Sequence, residues 1–367
     1  MRPARVMTLT AGAALFLSGL ATPAAASSPA VRVVHPGQSI QSALDAVGAG
    51  GTVIVRRGVY RENVEITKDG VTLVGDGADL EAPAVSTPRE CSDGGDNPFG
   101  LCITGVVGAT PAESRPVRNV TVRGMTVGQF PSTGILAFGA RNVRLENVRA
   151  TGGSEYGVLL SNTSGSTIRD SHIVGGQEAG IYIGDSPQAR TTISGTDVSG
   201  AGLFGIFIRS SSHGRITGNR VGGRCIGISF VPDRPEAGTV DDWLAAHNRV
   251  SHNDGVCPPL PGDEANITFA GTGILLAGSS HVSVLANTVT NNRAPGGSTT
   301  FARGGIVLTS GTAFGGTPVP TGNLVAGNTV RDNQPVDLNV VDRGRGNRIG
   351  VNDCRTSSPA GLCHRTG

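Results

Sequence analysis

The sequence predicts an all-β chain wound as a parallel β-solenoid, and three observations carry that expectation. A short apolar segment that opens on glycine recurs as Gly134-Ile135-Leu136-Ala137, Gly157-Val158-Leu159-Leu160, Gly180-Ile181-Tyr182-Ile183, Gly205-Ile206-Phe207-Ile208 and Gly227-Ile228-Ser229-Phe230, at spacings of 23, 23, 25 and 22 residues. Further copies open at Gly273 and Gly305 after wider intervals. A second motif, two apolar residues five positions apart, keeps the same period: Val122 with Val127, Leu145 with Ala150, Ile168 with Ile173, Ile193 with Val198, and Ile216 with Val221. Composition is the third observation. With 56 glycines and 21 prolines in 367 residues, 16% charged residues and 4% aromatics, the chain has the makings of turns and short strands and lacks the Ala, Leu, Glu and Lys of a helical bundle. A period near 23 residues holding several short strands is one coil of a solenoid, and each coil buries its apolar face only against the coils above and below.

The elements follow in order. Residues 1–26 carry Arg2 and Arg5, an apolar run from Val6 to Leu20 and then Ala24-Ala25-Ala26, the pattern of a cleaved secretory signal and too short for a membrane span. No later run is long and apolar enough to span a membrane, so the expectation is a secreted, extracellular protein. Within Ser39 to Val47 the apolar residues have helical spacing, Ser39 is a capping residue, and Gly48, Gly50 and Gly51 follow. A helix over 39–47 would plug the open end of the solenoid, because terminal coils need a cap. The solenoid itself is expected over 27–350, with a tail over 351–367 closed by a disulfide. Asn219, Asn248, Asn287 and Asn328 stand two residues before the last valine of successive motifs and read as a structural hydrogen-bonded ladder along the axis.

All six cysteines follow the signal, and an even count in an exported chain implies disulfides. Cys225 and Cys257 lie at the same corner one coil apart, which places them within bridging reach. Cys91 with Cys102, and Cys354 with Cys363, follow from proximity in sequence.

The run Gly50-Gly51-Thr52-Val53-Ile54-Val55, through Gly58-Val59-Tyr60-Arg61-Glu62-Asn63-Val64, to Val71-Thr72-Leu73-Val74-Gly75-Asp76-Gly77 resembles the opening coil of the pectin-lyase-like superfamily. It is most similar to that of pectin methylesterases and of periplasmic carbohydrate-binding and sugar-hydrolase repeat proteins. The resemblance implies a single-stranded right-handed parallel β-helix, usually monomeric, over about residues 32–350. It does not extend to activity: the methylesterase, polygalacturonase and pectate-lyase motifs are absent, and the only lysine, Lys68, lies in the opening coil, which argues against a lysine-base lyase.

Candidate chemistry therefore comes from position. Glu155 and Glu178 each precede their glycine by two residues on adjacent coils, so the two carboxylates should stack roughly 5 Å apart. Like charges that close raise one pKa, which makes an acid and a base from identical groups, and the separation suits a retaining glycosidase. Asp185 and Arg209 follow neighbouring strands and complete the catalytic candidates. The alternative is a solvated glutamate pair on a turn.

The outward positions of the glycine strands read Leu136, Leu159, Tyr182, Phe207, Ser229, Leu275 and Val307. Such an apolar ladder calls for a covering loop or, with Tyr156, Tyr182 and Phe207 as stacking groups, for a sugar. Insertions between Val250 and Gly273 and between Val289 and Gly305 would wall a groove over the carboxy-terminal half, with Trp243 beside it to stack on a sugar or anchor its own loop. The outward column Arg149, His172, Asp197, Arg220, Arg249 reads as surface charge balance.

The formal net charge of +2, with 30 basic residues interleaved among 28 acidic ones, offers no basic stripe and points away from nucleic acid. Asp93, Asp96 and Asn97 offer oxygen ligands of the kind calcium takes, but their spacing matches no complete loop motif and no other cofactor is suggested. The reading is a carbohydrate-active β-helix acting on a linear polysaccharide as hydrolase, lyase or epimerase; the alternative is a non-catalytic β-helix that binds a glycan or a protein partner.

Overall fold

The computed structural model describes residues 30–84, 91–92, 97–110, 112–200, 202–232, 238–258, 268–293, 301, 303–314 and 318–364. The signal peptide over 1–26 and the calcium candidates Asp93 and Asp96 lie outside these residues. The described chain coils into two long parallel sheets. One, here sheet 1, has 21 strands in two columns; the other, sheet 2, has eleven and contains the glycine strands. Each coil contributes the paired apolar motif to sheet 1 and the glycine strand to sheet 2. Leu145 thus pairs with Val122 and Ile168, Ala150 with Val127 and Ile173, and Val158 with Ile135 and Ile181. The two columns of sheet 1 meet at a corner where the chain takes a left-handed residue on each coil, such as Asn147, Asp170, Gly195 and Gly218.

The interior is one continuous stack of Val, Ile and Leu that runs the length of the described coils, from Val34 to Cys354. Coils stand one strand spacing apart, roughly 4.8 Å, and that distance explains the repeated glycine. A Cβ at Gly205 would lie 2.4 Å from Val221 Cγ1 and 2.5 Å from the Gly227 carbonyl oxygen of the next coil. Gly157, Gly180, Gly227, Gly273 and Gly305 meet the same pair of obstacles, a branched side chain of the next coil's motif and a carbonyl oxygen beyond. The requirement is steric, since none of these six glycines has a left-handed φ. It also links the two sequence motifs physically, because the valine of one coil occupies the space left by the glycine of the coil before.

Polar corners are held by side-chain ladders. Asn219, Asn248, Asn287, Asn328 and Asn352 form a continuous series in which each Nδ2 donates to the next Oδ1 at 2.9 to 3.0 Å. Each Oδ1 also accepts the preceding asparagine's backbone N–H, as Asn328 does from Asn287. Asn253, Asn292 and Asn333 form a second buried ladder that ends on Asp337. Buried amides persist here because their donors and acceptors are matched along the axis.

The amino-terminal end is closed by helix α1 (Ile40–Ala46), with Ser39 as N-cap accepting from the Ser42 N–H. Glu62 reaches over from the opening coil and accepts from Ile40 N–H at 2.6 Å and from Ser39 Oγ at 2.8 Å. At the other end of the helix the only lysine, Lys68, donates to the carbonyls of Leu44, Asp45 and Val47. A carboxylate at the N-terminus and an ammonium at the C-terminus both complement the helix dipole, so the opening coil fastens its own cap. The three disulfides are Cys91–Cys102, Cys225–Cys257 and Cys354–Cys363, with Cα separations of 5.8, 6.0 and 5.0 Å.

Close packing of coils makes a definite expectation. Gly205→Ala should destabilise the protein by about 1–3 kcal/mol, the cost of overpacking a filled core, read as a lower midpoint in urea. Gly48→Ala, where an added Cβ meets nothing within 4 Å, should leave the midpoint unchanged. Equal midpoints for the two variants would contradict the steric account.

Candidate functional site

The seven outward residues predicted from the period do share one column of sheet 2: Leu136, Leu159, Tyr182, Phe207, Ser229, Leu275 and Val307 pair in succession. Their surroundings differ along the axis. Leu136 is buried with Cys91, Phe99 and Cys102, and Leu159 is only partly buried. From Tyr182 onward the column is buried, and all of it but Ser229 belongs to a second hydrophobic cluster outside the coil, together with Leu203, Phe204, Phe269 and Phe301. The rings form a connected series. Phe204 stacks on Phe207 at 4.1 Å, Tyr182 meets Phe207 edge-on at 5.4 Å, and Phe269 packs on Phe204 at 6.2 Å and on Phe301 at 5.2 Å.

The groove expected over the carboxy-terminal half is therefore corrected, because there the column is covered by the chain's own side chains. The insertions bring Phe269 and Phe301 onto the sheet, and an outward apolar column is stabilised by that cover rather than left to solvent. Sequence reading missed Phe204 as part of the cover, although it immediately precedes the glycine of its strand.

At the amino-terminal margin of this cluster the face opens. Glu155, Tyr156, Glu178 and Arg209 are each partly exposed there. Tyr156 pairs with Ala179 in register, and the Glu178 N–H donates to the Glu155 carbonyl at 3.1 Å, so the two glutamates occupy adjacent coils as expected. Their side chains have different partners. Glu155 Oε2 accepts from Ser132 Oγ at 2.7 Å and from Thr133 Oγ1 at 3.3 Å. Glu178 is hydrogen-bonded to the Tyr156 phenol. The Tyr156 ring lies 4.8 Å from that of Tyr182, whose hydroxyl accepts from Arg209 Nη1 at 3.4 Å. Four of the sequence-predicted residues thus form one run, Glu178, Tyr156, Tyr182 and Arg209, with Glu155 beside it and Phe207 beneath.

Burial, and then the negative charge and hydrogen bond of Glu178, push the Tyr156 phenol well above its ordinary value. It is a hydrogen-bond donor throughout the neutral range. Arg224, which sequence reading did not single out, supports this corner from inside. It is fully buried and donates to the carbonyls of Gly175 at 2.6 Å and Gly176 at 2.8 Å, just before Glu178 in the chain, and of Ser199 at 2.7 Å on the next coil. Burial lowers its pKa to about 10, so the guanidinium remains a cation at neutral pH.

Two candidates stand elsewhere. Asp185 lies at the opposite end of the strand Ala179–Ser186, seven residues and roughly 20 Å from Glu178, on a left-handed corner. Its side chain lines a cleft of about 600 Å³ with Arg141, Asn162 and Gln188. Trp243 is 1% exposed and belongs to the interior core, where it begins the sheet 1 strand Trp243–Ala246, packs on Phe230 and donates its indole N–H to the Ser211 carbonyl at 2.8 Å. It is a core residue and not a stacking platform, because Gly214 on the previous coil leaves room for its ring. Among the described residues, no three His, Cys, Asp or Glu side chains converge as metal ligands.

The family described as right handed beta helix region matches residues 90–221 and 187–359, which together cover more than half of the chain. The chain belongs to that right-handed β-helix family. Among solved structures it is similar to the A-module of the Azotobacter vinelandii mannuronan C-5 epimerase AlgE4, at 15% identity and a TM-score of 0.58, over 87% of this chain and 90% of that one. It is also similar to the Dettilon tailspike protein, at 17% identity and 0.57, over 91% and 68%. A third is the DFA-IIIase of Arthrobacter chlorophenolicus, at 13% and 0.53, over 83% and 84%. Identities this low establish a shared β-helix and nothing finer. No curated protein sequence matches the chain significantly. Three disulfides, and no helix among the described residues long and apolar enough to cross a membrane, fit an extracellular or periplasmic protein.

The raised Tyr156 pKa has a measurable consequence. The folded protein holds this phenol neutral above the pH at which it ionises in the unfolded chain. Its contribution to stability is therefore complete below about pH 10 and lost as the pH rises beyond it. In the folded state, wild type and Tyr156→Phe should give the same rise in absorbance at 295 nm between pH 9 and 11. A larger rise in the wild type would show that the phenol ionises freely.

Proposed function

We propose that this protein is secreted and acts on a linear polysaccharide at the open margin of sheet 2, with Glu155 and Glu178 as its acid and base. The observation that carries the reading is the placement of two partly buried carboxylates on adjacent coils with different donors, hydroxyls for Glu155 and a phenol for Glu178. Two like groups in unlike settings are the material from which an enzyme makes an acid and a base. Tyr156 would orient Glu178, and the leading edge of the aromatic cluster would carry the apolar face of a sugar ring. Arg209, beside the Tyr182 hydroxyl, would engage a sugar carboxylate or hydroxyl.

Adjacent coils lie about 5 Å apart, the separation over which a retaining glycosidase places its two carboxyl groups. A uronate substrate would permit a different reaction, with the guanidinium neutralising the carboxylate while the base removes the proton next to it, which leads to elimination or epimerisation. The similarity to a structure named as a mannuronan C-5 epimerase supports a glycan as the substrate class. The non-catalytic alternative is favoured by one observation, the covered carboxy-terminal half, which leaves a short open face and no long groove.

Incubation with a panel of neutral and uronate polysaccharides tests the reading. Turnover is expected on at least one, and Glu178→Gln should abolish it. New reducing ends would identify a hydrolase, absorbance of an unsaturated uronate a lyase, and a changed uronate composition at constant chain length an epimerase. Full activity in Glu178→Gln would remove the carboxylate pair from the mechanism, and binding without any product would establish the alternative.

A further inference from the structure

The outward column of sheet 1 composed of Arg149, His172, Asp197, Arg220 and Arg249 is paired coil to coil in that order. In sequence it reads as charge balance, but the side chains do not balance. The acid of the column, Asp197, lies toward His172, with Oδ1 3.9 Å from Nδ1. Arg220 and Arg249 are directly opposite one another, both exposed, and neither forms an ion pair among the described residues. Arg149 is likewise exposed and without an ion pair among the described residues, as are Arg144 and Arg215 in the adjoining column of the same sheet. Like charges facing each other one strand spacing apart oppose folding. A chain with only 16% charged residues keeps them together on this face.

The floor beside the arginines is flat. The outward neighbours on their strands are Thr151, Val174, Ser199, Gly222 and Ser251, so nothing bulky shields the guanidinium groups. The permanent cations of the stripe are arginines, which present planar forks suited to carboxylate and sulfate oxygens. From Arg149 to Arg249 is four coil steps, roughly 19 Å, enough to follow several units of an extended chain.

We propose that this stripe is a binding surface for an anionic glycan, distinct from the Glu155 and Glu178 site on sheet 2, and that Arg149, Arg215, Arg220 and Arg249 engage the carboxylates or sulfates of one extended strand. An anionic glycan is favoured over a single-stranded nucleic acid because the stripe holds no Phe, Tyr or Trp on which successive bases could stack. The three disulfides also fit the extracellular or periplasmic side of the cell, where such glycans are met. The proposal needs no turnover, so it stands or falls separately from the proposed activity.

Binding of end-labelled polygalacturonate, alginate and heparin to the full chain, measured by fluorescence anisotropy from 20 to 200 mM salt, tests it, with dextran and an oligodeoxythymidylate as further probes. Wild type should bind at least one anionic glycan and not dextran. Preference for the first two over heparin would identify carboxylate as the recognised group, and the reverse sulfate. Arg220→Gln/Arg249→Gln should weaken binding at least tenfold at low salt and lower the slope of log K against log salt by about two, one for each arginine. Arg32→Gln/Arg57→Gln, a charge-matched change in the opening coil, should leave affinity within twofold. The proposal is overturned by no binding to any anionic glycan, by equal losses in the two double variants, or by tighter binding of the oligonucleotide than of every glycan.

Discussion

The distance between successive coils governs the molecule. At roughly 4.8 Å the backbones are close enough to hydrogen-bond along the whole axis, and at that distance only certain side chains fit at the junction between the sheets. Glycine is required where the next coil's valine and a carbonyl oxygen would both collide with a Cβ, as at Gly205 and Gly273. Asparagine is favoured where a buried corner must offer a donor upward and an acceptor downward, as Asn287 does between Asn248 and Asn328. Like charges are disfavoured at stacked positions, whereas opposite charges pair there, as Glu146 does with Arg169. The high glycine content is a consequence of the same spacing.

Departures from those rules occur at three places. Two glutamates on adjacent coils break the charge rule on sheet 2, and two arginines break it on sheet 1. Each pair lies on a surface with a different neighbourhood: phenols and a guanidinium around the glutamates, small residues around the arginines. Arg224 is a third departure, a cation inside the coil that meets backbone carbonyls just behind Glu178. It ties together chain segments nearly fifty residues apart, because its long side chain reaches across two coils.

Much of the fold was legible because a solenoid writes its geometry as a period. The coil register, the asparagine ladder from Asn219 to Asn328 and the Cys225–Cys257 bridge follow from counting residues along the repeat, and the capping helix from helical spacing beside Ser39. The same counting brought Glu155 beside Glu178 and set Tyr182 over Phe207. It failed where the period is interrupted. Trp243 follows an irregular stretch, so its phase could not be read, and it proved to begin a strand with its ring inside the coil. Asp185 was grouped with Glu178 by coil, but the strand between them holds them at opposite ends.

By itself, then, the sequence determined the stacking: which residues face inward, which coils are neighbours and which side chains share a column. Tertiary structure alone decided what lies over each column. Whether an outward aromatic is a platform or a covered core residue depends on where an insertion such as the one bearing Phe269 folds back, and no periodicity encodes that. Whether an arginine in a charged column is paired depends on which neighbour the acid chooses, and Asp197 lies toward His172 and leaves Arg220 and Arg249 facing each other. Period is a property of the backbone ladder, whereas cover and pairing arise between segments that the ladder brings together without prescribing their contacts.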